Sequence, residues 1–299
     1  MDKQAIITKF DQMVTDKIAF FDYDQKIVEH NEEDLTFAFV LTSALLKKPT
    51  LNGSPAEGDG QQEKEEEQLR PGSDISTVGF EIGTIGDSHL VVVNKFSFAR
   101  PHLMLVSTDG FRRQYSPLDK VDLDAAWEAL SAFGSSENHV VFYNCGRDGG
   151  CSRLHKHMQL MPMPAKGFAA FLDVVDGKEP DVPFSWAYRR FDDSGSVSSA
   201  DLVVTYNELL SEASDAYKAS VGSSKSADAK QPDAAIPHNM VLTQRWMIVL
   251  PRRQAAINKE AGANALGMLG VIAVATQKEI DNWVKLGLRQ SLKTLGVPQ

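Results

Sequence analysis

Cysteine is almost absent: the 299 residues include only two, Cys145 and Cys151. Two thiols cannot build the disulfide framework of a small secreted domain, and a chain of this length can bury a core without one. A surplus of positive charge is also missing. Acidic residues outnumber basic ones 40 to 31, for a formal net charge of −9. A polyanion-binding surface spread over the molecule is thereby excluded, so an anionic substrate must meet locally concentrated charge. No apolar run approaches the roughly 20 residues of a membrane span. The opening Met1-Asp2-Lys3-Gln4-Ala5 lacks the basic and apolar regions of a secretory leader. Together these absences predict a cytoplasmic protein with reduced thiols and with neither nucleic acid nor membrane as a partner.

What is present is an ordinary globular composition, 42% hydrophobic, enough for one large core or two lobes. Apolar spacing predicts helices over residues 6–21, 119–133, 200–217 and 278–286. Strands are predicted at 89–96 and 102–107, at 139–144 and 154–161, at 184–191, at 238–243 and 246–251, and at 270–275. Strand pairs interleaved with helices, without strict βαβ alternation, indicate an α+β fold with antiparallel sheet and helices packed on one side. Residues 52–73 turn abruptly to Gly, Pro, Gln and Glu and are expected to form a mobile insertion; 219–233, rich in Ser, Ala and Lys, reads the same way.

The densest chemistry lies between Asn144 and Gln159. In an extended chain His155, His157 and Gln159 share one face, just after a loop containing Gly146, Gly149 and Gly150. Gly-rich turns leave backbone N–H groups free for phosphate oxygens, and imidazole is a nucleophile at neutral pH. Arg147, Arg153 and Lys156 face only Asp148 and supply the local positive charge. His157 is thus read as a nucleophile toward an α-phosphorus, with His155 shaping its environment. Gln159 can hydrogen-bond phosphoryl oxygens but cannot supply a proton, which suits a polyphosphate leaving group. Ser152 and the Gly149–Gly150 backbone are candidate donors where charge develops, and Asn144 a candidate ribose or phosphate contact. Zinc is the rival reading, because Cys145, Cys151, His155 and His157 are ligand types, although Cys-x5-Cys-x3-His-x-His matches no common structural zinc spacing.

His155-x-His157-x-Gln159 resembles the active-site motif of the histidine-triad superfamily, in the transferase branch where glutamine replaces the third histidine. The stretches Lys47-Lys48-Pro49, Asn94-Lys95-Phe96 with Pro101-His102-Leu103, residues 238–246, and Asn264-Ala265-Leu266-Gly267 narrow the resemblance to the fungal-type diadenosine tetraphosphate phosphorylases, or ATP adenylyltransferases. That resemblance implies a histidine-triad-like antiparallel sheet and one catalytic unit over 1–299, built of related lobes 1–170 and 171–299. It implies phosphorolysis of diadenosine tetraphosphate to ATP and ADP through an adenylylated His157, with the reverse transfer. No cofactor is covalently bound, and a divalent cation such as magnesium enters only with the nucleotide. The implied catalytic set is His157, His155, Gln159 and Ser152. The implied nucleotide contacts are Lys48, Asn94, Lys95, Asn144, Gly150, Cys151, Ser152, Arg153, Gln159, Asn264, Ala265, Leu266 and Val271. Three departures stand out. Val271 and Ala275 take the places of the family's methionine and lysine, and Arg153 that of a glutamine. A nucleotide-sugar phosphorylase or hexose-1-phosphate uridylyltransferase of the same superfamily, and an inactive zinc-stabilised nucleotide-binding protein, remain as alternatives.

Overall fold

The computed structural model describes residues 2–47, 69–134, 138–191, 197–221, 228 and 230–299. In chain order the first elements are α1 (Lys3–Thr15), β1 (Phe20–Phe21), β2 (Lys26–Glu32), β3 (Leu35–Leu41), β4 (Glu81–Ile85), β5 (His89–Val93), β6 (Phe96–Ser97), β7 (Leu103–Ser107), α2 (Lys120–Ser131), β8 (His139–Cys145) and β9 (His157–Pro162). Then come β10 (Ala187–Arg190), α3 (Ser199–Val221), β11 (His238–Leu242), β12 (Trp246–Pro251), β13 (Ala256–Asn258), β14 (Ala261–Gly262), α4 (Ala265–Met268), β15 (Val271–Val274), α5 (Gln277–Leu286) and α6 (Leu288–Leu295). Among the described residues no helix is long and apolar enough to cross a membrane.

Eight strands form one antiparallel sheet in the order β10-β12-β11-β8-β9-β7-β5-β4. This is the predicted α+β class, although helices cover both faces of the sheet rather than one. Its centre is palindromic. A strand, a helix and a hairpin (β7, α2, β8–β9) are followed by the same series (β10, α3, β11–β12), and the two meet where β8 pairs β11.

Strand alternation divides the sheet into two chemistries. One face, with Val141, Tyr143, Cys145, Met158 and Leu160, packs beneath α1, α2 and α3. The other, with Val140, Phe142, Met161, Val241 and Ile248, packs on β3, β15 and the C-terminal helices. There β15 joins β3 in parallel and β2 joins β3 antiparallel, as a separate three-stranded sheet.

Some expectations shift. The first helix ends at Thr15, because Lys17 takes a left-handed turn, and Phe20–Phe21 instead pair with Phe96–Ser97. The polar, solvent-edge strand β2 carries too few apolar residues to be read from the sequence. Of the two stretches expected to be mobile, 52–68, 222–227 and 229 lie outside the described residues. Their flanks are tied down. Ser73 and Asp228 are buried, and α3 runs on to Val221.

Helix α2 positions the strand that matters most. Asp119 caps it, accepting from Val121 and Asp122 N, while the Asp122 carboxylate accepts from Asp119 N. Asp122 is 1% exposed and also accepts from both Arg112 Nη atoms at 2.8 Å, from Lys156 Nζ at 2.7 Å and from His89 Nε2 at 3.2 Å. Burial opposes its charge, but the His89 bond and the cations of Lys156 and Arg112 outweigh that and hold its carboxyl well below the usual range. Lys156 lies between His155 and His157, so this cluster anchors their strand from behind. Asp122→Ala strands buried cations and should destabilise the fold by about 3–5 kcal/mol. Urea titration checks this, and a loss below about 1 kcal/mol would show that the cluster is not an anchor.

Candidate active site

His157 opens β9 on the sheet face opposite the three long helices and is 6% exposed. Its Nδ1 lies 2.8 Å from the His155 carbonyl oxygen. A carbonyl only accepts, so Nδ1 carries the proton and Nε2 keeps its lone pair. Burial pulls the imidazole down to about 4, against the raising effect of that bond. At neutral pH the His157 imidazole is uncharged, with its ring held by that bond.

His155 does not line the cleft with it, contrary to expectation. Its ring is fully enclosed. Its Nε2 lies 3.0 Å from Ser107 Oγ and its Nδ1 2.7 Å from Ser73 Oγ, and these two hydroxyls also reach the carbonyls of Asp109 and Ile75 at 2.9 and 3.0 Å. Asp74 accepts from the Leu154 and His155 amides at 2.7 and 2.8 Å. The carbonyl of His155 accepts from His157 Nδ1, and the His155 imidazole lies close enough to add to the lowering of the His157 imidazole. Lys156 is likewise no anion ligand, since alternation sends it through to Asp122.

Gln114 is the main residue that sequence reading missed. Its Oε1 accepts from His157 N at 2.7 Å, and its Nε2 donates to the His157 and Asn144 carbonyls at 2.9 and 3.1 Å.

The glycine loop uses its amides differently from the expectation. Gly149 N and Cys151 N donate to the Gly146 carbonyl, and Gly150 N to the Arg147 carbonyl. Among the described residues the amides of exposed Ser152 and Arg153 donate to nothing. Gly150 has φ +90°, and a Cβ there would meet the Ala263 carbonyl at 3.0 Å, so the loop can lie against Ala263–Asn264 only with glycine.

Asn144 ties the loop to the second half of the chain. Its Oδ1 accepts from Ala265 N at 2.9 Å and from Asn239 Nδ2 at 3.0 Å. Asn239 Nδ2 also donates to the Gly149 carbonyl at 2.7 Å, and its Oδ1 accepts from Arg252 Nη1 at 2.7 Å. Arg252 is fully buried and donates to the Ala263 and Gln254 carbonyls at 2.9 Å and to the Leu295 carbonyl at 3.3 Å. Burial lowers its guanidinium to about 9, which leaves it charged at neutral pH.

Family models match both parts of the chain: "Ap4A phosphorylase N-terminal domain" over residues 12–173, more than half its length, and "ATP adenylyltransferase C-terminal domain" over 180–298. The chain belongs to the Ap4A phosphorylase family. Diadenosine 5',5'''-P1,P4-tetraphosphate phosphorylase 2 of Saccharomyces cerevisiae is 28% identical over 253 residues, 78% of this chain and 76% of that protein. Protein APA1 of the same organism is 29% identical over 248 residues, 77% of this chain and 72% of that protein. The crystal structure of yeast Ap4A phosphorylase Apa2 in complex with Ap4A shares the fold, with a TM-score of 0.72 at 23% identity, covering 99% of this chain and 97% of that one.

Several of the residues expected in an Ap4A phosphorylase site fall into two groups. Asn144, Gly150, Asn264 and Ala265 meet as described, with Asn264 Oδ1 capping α4 at Gly267 N. On the other side Gln159 Oε1 lies 2.9 Å from His102 Nε2, which lies 3.2 Å from Asn94 Nδ2. Lys95 sits over Phe80 and Phe96. Cys151 is half-buried, while Ser152 and Arg153 are on the exposed rim. Leu266 and Val271 are buried in the core, Val271 paired with Ala38. Lys48 lies outside the described residues. The zinc reading fails on parity. Cys145 faces the helices and donates to the Ser116 carbonyl, whereas His157 faces the cleft. Among the described residues no three His, Cys, Asp or Glu side chains could hold a metal ion.

Because His157 stays neutral to about pH 4, the acidic limb of kcat/KM attributable to it should fall near pH 4, well below the ordinary imidazole value of about 6.5. His238, with Nδ1 2.8 Å from the Ile236 carbonyl, is also pulled down to about 4 by burial. Between about pH 6.5 and pH 4 the unfolded chain therefore binds more protons, and stability falls as pH drops, by roughly 1.4 kcal/mol per unit for each histidine. Urea midpoints from pH 7 to 4.5 check the slope; a flat profile would contradict it.

Proposed function

We propose that this chain cleaves diadenosine tetraphosphate with inorganic phosphate to ATP and ADP, by double displacement at His157. The observation that carries the reading is the fixed tautomer: Nδ1–H is held by the His155 carbonyl, so the Nε2 lone pair is available. Nε2 attacks an α-phosphorus, forming a P–N bond as the P–O bond to the leaving ATP breaks and its electron pair departs on ATP. The adenylylated imidazole keeps its Nδ1 proton and its positive charge is stabilised by the carbonyl. An oxygen of phosphate then attacks the same phosphorus, releasing ADP and restoring neutral His157. The reverse sequence transfers adenylyl from ADP, with loss of phosphate, to the terminal phosphate of ATP.

No proton is required by the leaving group, because a triphosphate departs as a stabilised anion at neutral pH. That fits Gln159, an amide beside the nucleophile on the same strand that cannot act as an acid. The name of the yeast phosphorylase relative and the Ap4A held by the yeast Apa2 structure support the substrate class. We assign Asn94, Lys95, Asn144, Gly150, Cys151, Asn264, Ala265 and Leu266 to the nucleotide-binding wall, and Ser152 and Arg153 to the phosphates through their unused amides. Lys48 completes the set on its sequence position alone. The palindromic strand order supports related lobes over 1–170 and 171–299, joined as one catalytic unit. We place the enzyme in the cytoplasm, where its two free thiols would stay reduced.

His157→Ala should lower phosphorolysis by roughly 10³-fold or more and remove label transfer from adenine-labelled substrate to protein. Undiminished turnover would end the proposal. Gln159→His should raise the share of AMP among the products, because a histidine can deliver and accept protons for water; an unchanged product ratio would count against the assigned role.

A further inference from the structure

Strands β8 and β9 stop pairing one step too early. Their register ends at Phe142 opposite Gln159. The next same-face pair would be Asn144 opposite His157, the residues that bear the expected ribose or phosphate contact and the nucleophile. In an unbroken ladder these two would exchange backbone hydrogen bonds directly, at a strand spacing of about 4.8 Å. Instead the side-chain amide of Gln114 stands between them. It accepts from the His157 N–H and donates to both the His157 and Asn144 carbonyls. A carboxamide has the donor and acceptor pattern of a peptide group, so it satisfies the buried backbone as a third strand would while holding the two strands apart.

The wedge is itself fixed. Gln114 is 1% exposed. Its backbone N donates to the Leu154 carbonyl at 2.8 Å, and its carbonyl accepts from Gly146 N at 3.0 Å and from Tyr143 Oη at 2.8 Å. Both ends of the glycine loop therefore close on this one residue. Resting on the function proposed above, we infer that Gln114 is a positioning residue that wedges the β8–β9 ladder open, setting the gap between Asn144 and His157 that the reacting phosphate occupies. Its side chain bonds the backbone N–H and carbonyl of His157 and not the imidazole, so it acts through the backbone of the nucleophile.

The test compares three variants of the full chain with wild type, using diadenosine tetraphosphate and inorganic phosphate as substrates. Gln114→Ala removes the wedge. Gln114→Glu keeps the acceptor for His157 N–H but sets a carboxylate against two carbonyl oxygens. Tyr143→Phe loosens the same segment from the helix side and leaves the amide in place. Displacement of the nucleophile by about 1 Å costs on the order of 10²-fold. The expected result is a kcat fall of about tenfold to a hundredfold in Gln114→Ala and Gln114→Glu, a KM change under about threefold, and near-wild-type kcat in Tyr143→Phe. In Gln114→Glu the acidic limb of kcat/KM should also rise in pH, because a buried negative charge beside the His157 backbone favours the imidazolium. The inference is overturned if both Gln114 variants keep kcat within about twofold, or if Tyr143→Phe loses as much as they do. If Gln114→Ala fails to fold, Gln114→Glu decides, and an unmoved acidic limb with unchanged kcat overturns it. Failure of the functional reading looks different, because wild type itself would then give no phosphate-dependent ATP and ADP.

Discussion

One hydrogen bond organises the site: the Nδ1–H of His157 to the carbonyl of His155, two residues back on the same strand. It fixes the tautomer, the ring orientation and the direction in which Nε2 points. A bond so short in sequence works only if the intervening peptide cannot turn, and most polar contacts nearby serve that end. Asp74 holds the amides of Leu154 and His155. Ser73 and Ser107 lock the His155 ring. Asp122 pulls Lys156 through to the far face, and Gln114 holds the backbone of His157 on both sides. Each is individually worth about 1 kcal/mol or somewhat more. Together they convert a flexible loop exit into a rigid mount, so the imidazole requires no reorganisation when the reaction begins.

The electrostatics follow the same division of faces. The chain is acidic overall, yet its substrate is a polyanion. Lys156, which looked like part of a local basic patch, neutralises Asp122 behind the sheet. Close to the loop lie Arg147 and the carboxylates of Asp148 and Asp228, the latter accepting from Arg147 N at 2.8 Å, and beneath it the fully buried Arg252, bound to carbonyls and to Asn239. Its field reaches the glycine loop and Asn144 with little solvent to screen it, while Arg153 on the rim is exposed and largely screened.

How much of this could be read from the sequence depended on distance along the chain. The α+β class, the paired strands and the His155-x-His157-x-Gln159 face follow from local periodicity, and the structure contains them. Alternation applied to every residue adjusts two readings: it sends Lys156 behind the sheet, leaving Arg147 and Arg153 as the local cations, and it turns Cys145 away from His157, against the rival zinc reading. His155 was misjudged for a different reason. Parity says which side a ring leaves the strand, not that Ser73, some 82 residues earlier, will enclose it. Gln114 and Arg252 had no local signal at all, and Asn239 only its place in the stretch 238–246. Each is an ordinary polar residue whose role exists only across separations of 43, 95 and 13 residues.

The departures from the family pattern bear on the proposed chemistry unequally. Val271 lies in the core and pairs with Ala38, so its size affects how β15 seats α4 and, through Ala265 N, how Asn144 is held. Its influence on nucleotide binding would be indirect. Arg153 is on the rim, one residue from the Leu154 amide that Asp74 holds, and it lies close enough to lower the basicity of His157. Ala275 stands elsewhere, directly after β15, so a cation at Arg153 sits beside the histidine strand while the side chain at Ala275 does not.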